Sequence, residues 1–192
     1  MIPTEDNYID WTLLGMRRYF EALGYRVWTF SIGQVKEKKC PVDRILAAGS
    51  KIIGFQFKRP ESEGPPWRWK LRPGQHDKVA ESRWIWHCLP DFVDLTLQSV
   101  ALYHCRFNSG NVSDAEYITG RDRFHRWGWL ATSLMACQAG VQIDRQIGAE
   151  AAFAQIAENS QDAYLSLDRL GRQAYVIARG RLAEAELESE PA

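Results

Sequence analysis

Three polar residues, Asp43, Gln56 and Lys58, have the side-chain types and the spacing of a site for a divalent cation and a phosphate group. Residues two apart on a β-strand face the same side, so Gln56 and Lys58 point together and Phe57 points away. If the chain folds back so that Asp43 lies beside that strand, a carboxylate, an amide oxygen and an ammonium group meet at one place. Hard divalent cations bind such oxygen atoms, and positive charge stabilises a reacting phosphate.

The residues between Asp43 and Lys58 predict the hairpin that this arrangement needs. Apolar residues indicate a short strand over Arg44–Ala47 and a second strand over Ile52–Lys58. The intervening residues 48–51 include a glycine and a serine and are typical of a turn. The acid therefore opens the predicted hairpin, and the Gln-x-Lys segment closes it.

This segment resembles the signature of the PD-(D/E)xK nuclease superfamily. In that family an acid at the start of one strand is followed, on the next strand, by Glu or Gln, any residue, and Lys. Pro41 and Asp43 supply the first half here, with Val42 inserted between them. The second half is Gln56–Lys58, in the Gln form that Mrr-like members carry.

The upstream context also resembles that family, whose members open with a helix, a turn of glycine and an aromatic residue, and a strand. A helical pattern over Asp6–Leu23 is followed by Gly24 and Tyr25, and then by a predicted strand over Arg26–Ile32. The resemblance covers Asp6–Pro60, which is under a third of the chain.

The alternation of helices and strands along the whole chain predicts an α/β protein, with α+β as the alternative class. The resemblance implies, more narrowly, a restriction-endonuclease-like mixed central sheet flanked by helices. It also implies Mg²⁺ or Mn²⁺, held by the Asp43 carboxylate, the Gln56 amide oxygen and the Phe57 backbone carbonyl. Lys58 then orients or helps to deprotonate the attacking water. Gln56 stands in place of Glu, which removes one negative charge and weakens Mg²⁺ binding.

Members of the family often add an acid from the first helix. The usual neighbourhood of that acid holds Leu13 and Leu14 here, and Glu21 lies too close to Gly24. Asp10, one turn before the two leucines, is therefore the candidate for a further catalytic acid. The alternative is that both acids lie on a solvated helix face.

Basic and aromatic residues surround and follow the predicted catalytic strand. Between Lys51 and His87 the chain holds eight Lys or Arg residues and four acids. Positive charge beside flat aromatic rings suits a nucleic-acid backbone and unstacked bases. Residues 59–74 contain four prolines and predict an irregular loop. The candidates for DNA contact in this segment are Arg59, Trp67, Arg68, Trp69, Lys70 and Arg72. Trp84 and Trp86 are instead expected in the core.

Two His-Cys dipeptides, His87-Cys88 and His104-Cys105, lie on predicted strands over Arg83–Leu89 and Ser99–Phe107. One His and one Cys from each strand would suit zinc. Adjacent residues of a strand face opposite sides, so the four side chains are not expected to converge. Buried structural residues are the default interpretation.

Length and composition predict a single domain over residues 1–180 and a flexible acidic tail over 181–192. The resemblance implies that this domain is nuclease-like. Acidic and basic residues number 24 each, which argues against binding of nucleic acid by bulk charge alone but leaves room for a local basic groove. Cysteines without CxxC spacing indicate reduced thiols in a cytoplasmic protein, and no segment has the pattern of a membrane span. Helices are also predicted over residues 75–82, 127–140 and 149–158, and a polar loop over 108–120.

Three hypotheses of function follow. The first is a metal-dependent endonuclease that hydrolyses phosphodiester bonds of DNA, in phage defence or a mobile element, as a homodimer or a subunit of a larger complex. The second is a catalytically inactive nuclease-fold subunit that binds nucleic acid or a protein partner. The third is an unrelated α/β interaction protein. Binding of Mg²⁺ or Mn²⁺ at Asp43 distinguishes the first from the other two.

Overall fold

The structure, a computed structural model, describes residues 2–30, 42–49, 51–81 and 84–142. The predicted helix over 149–158 and the acidic tail over 181–192 lie outside the described residues. In chain order the elements are α1 (Glu5–Ala22), β1 (Val27–Phe30), β2 (Arg44–Ala48), β3 (Lys51–Phe57), β4 (Arg68–Lys70), α2 (Gln75–Ala80), β5 (Ile85–Pro90), a 3₁₀ helix (Leu95–His104), β6 (Cys105–Asn108), β7 (Tyr117–Thr119), α3 (Trp127–Met135) and β8 (Val141–Gln142).

Helix α1 begins where its capping residues require. The Thr4 hydroxyl accepts the Asn7 N–H at 3.3 Å, and the Asn7 side chain accepts the Thr4 N–H at 3.1 Å, which completes a capping box. Glu5 is therefore the first residue of the helix. The apolar face packs into the core through Ile9, Leu13, Met16 and Phe20, so the predicted helix over Asp6–Leu23 is confirmed to within one residue.

A mixed sheet of six strands forms the centre of the described structure. Its order is β1-β2-β3-β5-β6, and β8 pairs with the beginning of β3. Strands β3 and β5 run parallel, whereas the other neighbours are antiparallel. A mixed sheet with helices packed on it places the protein in the general α/β class. None of the described helices combines the length and the apolar character needed to cross a lipid bilayer.

The predicted hairpin is formed by β2 and β3. Arg44 pairs with Phe55 and Ala48 pairs with Lys51, so two residues make the turn. Gly49 has a φ of +59°, a conformation that glycine adopts without steric cost. The first and last residues of the hairpin arms are consequently held at the same end of the sheet, where Asp43 and Lys58 lie.

The two faces of the sheet are covered by different elements. Helices α1 and α3 cover one face, and their apolar side chains pack with Ile53, Phe55 and Phe57 of β3. On the other face Trp84 packs against Gly54, where an added Cβ would lie 2.7 Å from its ring and 3.1 Å from Val42. Gln56 follows Gly54 by two residues and therefore faces this second side.

The expected strand over Ser99–Phe107 is wrong, because Leu95–His104 forms a 3₁₀ helix and β6 starts only at Cys105. The Asp94 carboxylate accepts the Thr96 N–H at 2.9 Å and starts this helix. Its Ala101 and Leu102 are buried, and the helix packs on α1. The buried residues Ala101 and Leu102 therefore lie on a 3₁₀ helix and not on a strand.

The polar turn after β6 is closely joined to α2. The Asn108 side chain accepts the Gly110 N–H at 2.7 Å and donates to the carbonyls of Asn111 and Arg123, each at 3.0 Å. A Cβ on Gly110 would lie 2.3 Å from the Ala80 backbone nitrogen. The turn and the C-terminal end of α2 are therefore in backbone contact that only glycine permits at this position.

We predict that Gly54→Ala destabilises the protein by about 1–3 kcal/mol, because the new methyl group overlaps the Trp84 ring in a packed interior. Urea unfolding measures the change. Gly64→Ala is the matched control, since a Cβ at Gly64 meets nothing within 4 Å. Equal stability of the two variants would contradict the packing of Trp84 on β3.

Candidate active site at the end of the hairpin

Asp43 precedes β2, and its carboxylate reaches across to β3. Its oxygen Oδ2 accepts the backbone N–H of Phe57 and the amide N–H of Gln56, each at 2.6 Å. The backbone N–H of Asp43 donates to the Phe55 carbonyl at 2.9 Å. The Asp43 carboxylate therefore lies against the Gln-x-Lys segment at the end of β3, as the sequence predicts.

Gln56 is buried, with 3% of its surface exposed. A carboxylate only accepts hydrogen bonds, so the Gln56 atom that contacts Asp43 must be the amide nitrogen. The same nitrogen lies 3.5 Å from the Phe57 carbonyl. The amide oxygen of Gln56 consequently points away from Asp43, which is the orientation from which it could bind a cation.

Lys58 follows β3 directly and is also buried, at 6% exposure. Its backbone N–H donates to the Cys88 carbonyl at 3.1 Å and so continues the pairing with β5. The charge of Lys58 is a cause of the pKa shifts of Asp43, Glu5 and His87, so the ammonium group is near enough to influence all three. The structure therefore brings Asp43, Gln56 and Lys58 together.

Burial raises the pKa of the Asp43 carboxyl above its ordinary value. The Lys58 ammonium is the strongest opposing influence, followed by the hydrogen bonds from Phe57 and Gln56 and by the Arg44 charge. A cation bound beside Asp43 would lower this pKa, so the site favours an added positive charge.

The structure places Glu5, and not Asp10, beside the hairpin. Glu5 is partly buried in the first turn of α1, accepts the Arg59 N–H, and feels the charges of Lys58 and Asp43. Burial raises the pKa of Glu5, while Lys58 lowers it. Asp10 is exposed and lies about 140° around the helix axis from Glu5. Sequence reasoning missed Glu5 because it counted back from Gly24, whereas the Thr4 capping signal marks the helix start.

A second missed residue is His87 on β5, which pairs with Gln56 across the parallel strands. His87 is fully buried, and burial, followed by the charges of Lys58 and His76, lowers its pKa to about 3. Neither ring nitrogen of His87 has a hydrogen-bond partner in the described structure. The sequence placed His87 on a strand but considered it only with Cys88, which faces the opposite core.

The two His-Cys dipeptides do not both lie within strands, because the second spans the junction of the 3₁₀ helix and β6. His104 belongs to the 3₁₀ helix, and Cys105 is buried with its sulfur 3.4 Å from the Thr12 hydroxyl and 3.2 Å from the Ala101 carbonyl. Across the described residues, no group of three His, Cys, Asp or Glu side chains is arranged to hold a metal ion.

The segment predicted as an irregular loop over 59–74 contains β4, which pairs with β7. Trp69 is fully buried there, and its indole N–H donates to the Pro90 carbonyl at 2.9 Å. A buried ring has no face for a base, so Trp69 is not a DNA-stacking residue. Trp67 is partly buried against the same cluster.

The cations of this segment point outward, as an alternating strand requires. Arg68, Lys70, Arg72 and Arg59 are all exposed. Arg68 pairs with Glu61 at 3.6 Å and lies 5.2 Å from the Tyr117 ring centre. Arg72 acts electrostatically on Glu5, so it lies at the border of the site.

The donor set fits a divalent cation in part. The Asp43 carboxylate, the outward oxygen of Gln56 and the Glu5 carboxylate are oxygen ligands of the kind that Mg²⁺ and Mn²⁺ bind. His87, whose buried nitrogens have no hydrogen-bond partner in the described structure, pairs with Gln56 on the neighbouring strand.

No family model, no curated protein and no solved structure matches this chain.

We predict that Gln56→Glu makes stability depend strongly on Mg²⁺. The new carboxylate would stand where the Gln56 amide now contacts Asp43 at 2.6 Å, and two carboxylates repel each other unless a cation or proton lies between them. At pH 8 with chelator, the melting temperature should fall below that of the wild type and should recover on addition of Mg²⁺. A deficit that Mg²⁺ leaves unchanged would show that position 56 does not face the cation.

We predict that His87 makes the metal-free protein sensitive to acid. Its pKa is about 3 when folded and about 6.5 when unfolded, so its contribution is fully present above pH 6.5 and is lost as the pH falls toward 3. Relative to His87→Leu, the wild type should lose up to about 1.4 kcal/mol of unfolding free energy for each pH unit below 6.5. Urea unfolding at several pH values measures this. A difference between the two proteins that is constant with pH would mean that His87 is not buried in its neutral form.

Proposed function

We propose that this chain is a metal-dependent nuclease that hydrolyses phosphodiester bonds, most readily those of DNA. The observation that carries the proposal is the hydrogen-bonded pair of Asp43 and Gln56 with the buried ammonium of Lys58 at the same end of the hairpin. A buried ammonium beside a carboxylate and an amide is an arrangement that can bind the negative charge of a phosphate. The partial resemblance to the PD-(D/E)xK superfamily supports the same reaction.

Each residue has a distinct role in this proposal. Asp43 and Gln56 would hold the cation through their oxygen atoms, and a cation bound there would supply Lewis-acid polarisation of the phosphate. Lys58 donates N–H groups to a phosphate oxygen and so stabilises the charge that develops during attack. Glu5, whose pKa burial raises, accepts the proton of the attacking water. The P–O ester bond breaks on the side opposite to that water, and the leaving oxygen takes its proton from solvent.

DNA is favoured as the substrate by the exposed cations beside the site. Arg59 directly follows Lys58, and Arg72 lies close enough to Glu5 to influence its charge. Lys70 is exposed on β4, two residues before Arg72. These side chains can contact successive phosphates, whereas the zero net charge of the whole chain gives no general attraction. The proposal includes a role in phage defence or in a mobile element, and assembly as a homodimer or as a subunit of a larger complex.

A second candidate function is a catalytically inactive nuclease-fold subunit that binds nucleic acid or a protein. The observation that favours it is the saturation of Asp43 Oδ2 by two short hydrogen bonds from the protein itself. Such an acid can stabilise the hairpin end without a cation. Cleavage and Mg²⁺ binding distinguish this candidate from the nuclease.

We predict that Asp43→Ala and Lys58→Ala each reduce divalent-dependent plasmid cleavage by at least about 100-fold, since each removes charge stabilisation of the transition state. Thermal melting checks that both variants fold. Glu5→Gln should also lower cleavage, because a neutral amide does not accept the proton of water.

Asp10→Asn is the matched control for Glu5→Gln, because it makes the same change on the exposed side of the same helix. It should cleave as the wild type does. Loss of cleavage in Asp10→Asn with normal cleavage in Glu5→Gln would reverse the assignment of the helix acid. Wild-type cleavage by folded Lys58→Ala would eliminate the nuclease function at this site.

A further inference from the structure

We propose that His87 supplies a nitrogen ligand to the cation of this site, and that the site therefore selects Mn²⁺ or a similar transition ion over Mg²⁺. This inference rests on the metal site proposed above. It assigns the preferred metal and a ligand that the hairpin signature does not contain.

The first observation is the state of the imidazole. His87 has no exposed surface, and neither Nδ1 nor Nε2 has a hydrogen-bond partner in the described structure. Buried polar groups are almost always satisfied, and leaving one unsatisfied costs about 1–3 kcal/mol. A neutral imidazole also has one nitrogen with a lone pair, which needs a donor or a cation.

The second observation is the position of the ring. In the parallel pairing of β3 and β5, His87 lies directly opposite Gln56. Gln56 contacts Asp43 on its other side through its amide nitrogen, so its oxygen is turned away from Asp43. Asp43, Gln56 and His87 thus form a row across neighbouring strands, on the face of the sheet opposite to Phe55 and Phe57.

The third observation concerns a second imidazole, which is near enough to influence the first electrostatically. His76, in the first turn of α2, acts electrostatically on His87. Its Nε2 lies 3.0 Å from the Asp77 carboxylate, while its Nδ1 is buried without a hydrogen-bond partner. Histidines that bind metals commonly donate their other N–H to a carboxylate, which is the arrangement of His76 and Asp77.

These observations decide between cations. Mg²⁺ keeps oxygen ligands and several waters in octahedral geometry, and buried imidazoles contribute little to it. Imidazole suits transition ions, whose affinity for nitrogen ligands exceeds that of Mg²⁺. Gln56 also lacks the negative charge that a glutamate at this position would offer to a hard cation. A nitrogen ligand from His87 compensates for this missing carboxylate.

The test uses the full chain and Mn²⁺ itself. Calorimetry of the wild type should show tighter binding of Mn²⁺ than of Mg²⁺. His87→Leu should lower the Mn²⁺ affinity by about 10–100-fold, in the range found when metal-site partners are lost, and should leave the Mg²⁺ affinity near that of the wild type. His125→Leu is the matched control, since His125 stacks on Trp129 at 3.6 Å and contacts Trp86, which faces the opposite side of the sheet from His87.

Electron spin echo spectroscopy of bound Mn²⁺ gives a readout that needs no variant. The wild type should show coupling to a histidine nitrogen, and labelling of histidine with a different nitrogen isotope should shift that signal. Loss of the signal in His87→Leu but not in His76→Leu assigns the ligand to His87. A signal that persists without His87 overturns the assignment, as does Mn²⁺ binding without any nitrogen coupling, or no Mn²⁺ binding at all.

The outcomes separate this inference from the proposed function. Mn²⁺ bound through His87 without any cleavage would refute the nuclease and retain the nitrogen ligand. Cleavage that requires Asp43 and Lys58, with Mn²⁺ showing no nitrogen coupling, would retain the nuclease and refute the nitrogen ligand.

Discussion

The hydrogen bonds of the Asp43 carboxylate are the interaction on which the arrangement of the candidate site depends. One oxygen accepts both the Phe57 backbone N–H and the Gln56 amide, so a single group fixes the end of the hairpin and the orientation of Gln56. The orientation of Gln56 then decides which of its atoms faces β5 and His87. Because these hydrogen bonds come from the protein itself, the position of the Asp43 carboxylate does not depend on a bound ligand.

Several side chains of the site, among them Gln56, Lys58 and His87, are buried, and this has a cost. Burial raises the pKa of Asp43 and Glu5 and lowers that of His87, so each of the three groups is less stable in its charged form than it would be in water. Opposite charge from Lys58 offsets only part of this for the two acids. A polar cluster of this kind, at the end of a core strand, is held rigidly. Its carboxylates would be stabilised by further positive charge. That combination is more typical of a binding or catalytic site than of a structural core.

The sequence predicted the hairpin and the meeting of Asp43, Gln56 and Lys58, because strand alternation and a short glycine turn determine both. It did not predict the role of Trp69. The alternation of Arg68, Trp69 and Lys70 was interpreted as a loop with basic and aromatic residues. A short strand with one buried face has the same alternation. The apolar run before Cys105 was likewise ambiguous, since a 3₁₀ helix and a strand can bury the same residues. Contacts between distant segments, such as Gln56 with His87, have no local signal at all.

The contact of Gly110 with the backbone of Ala80 has a mechanical consequence. The turn after β6 and the C-terminal end of α2 are far apart in sequence, yet neither has room to shift alone. Asn108 ties the same turn to the carbonyls of Asn111 and Arg123. Helix α2, which carries His76, and this turn should therefore open and close as one cooperative unit. Motions of α2 would then be coupled to a turn that contains no residue of the candidate site.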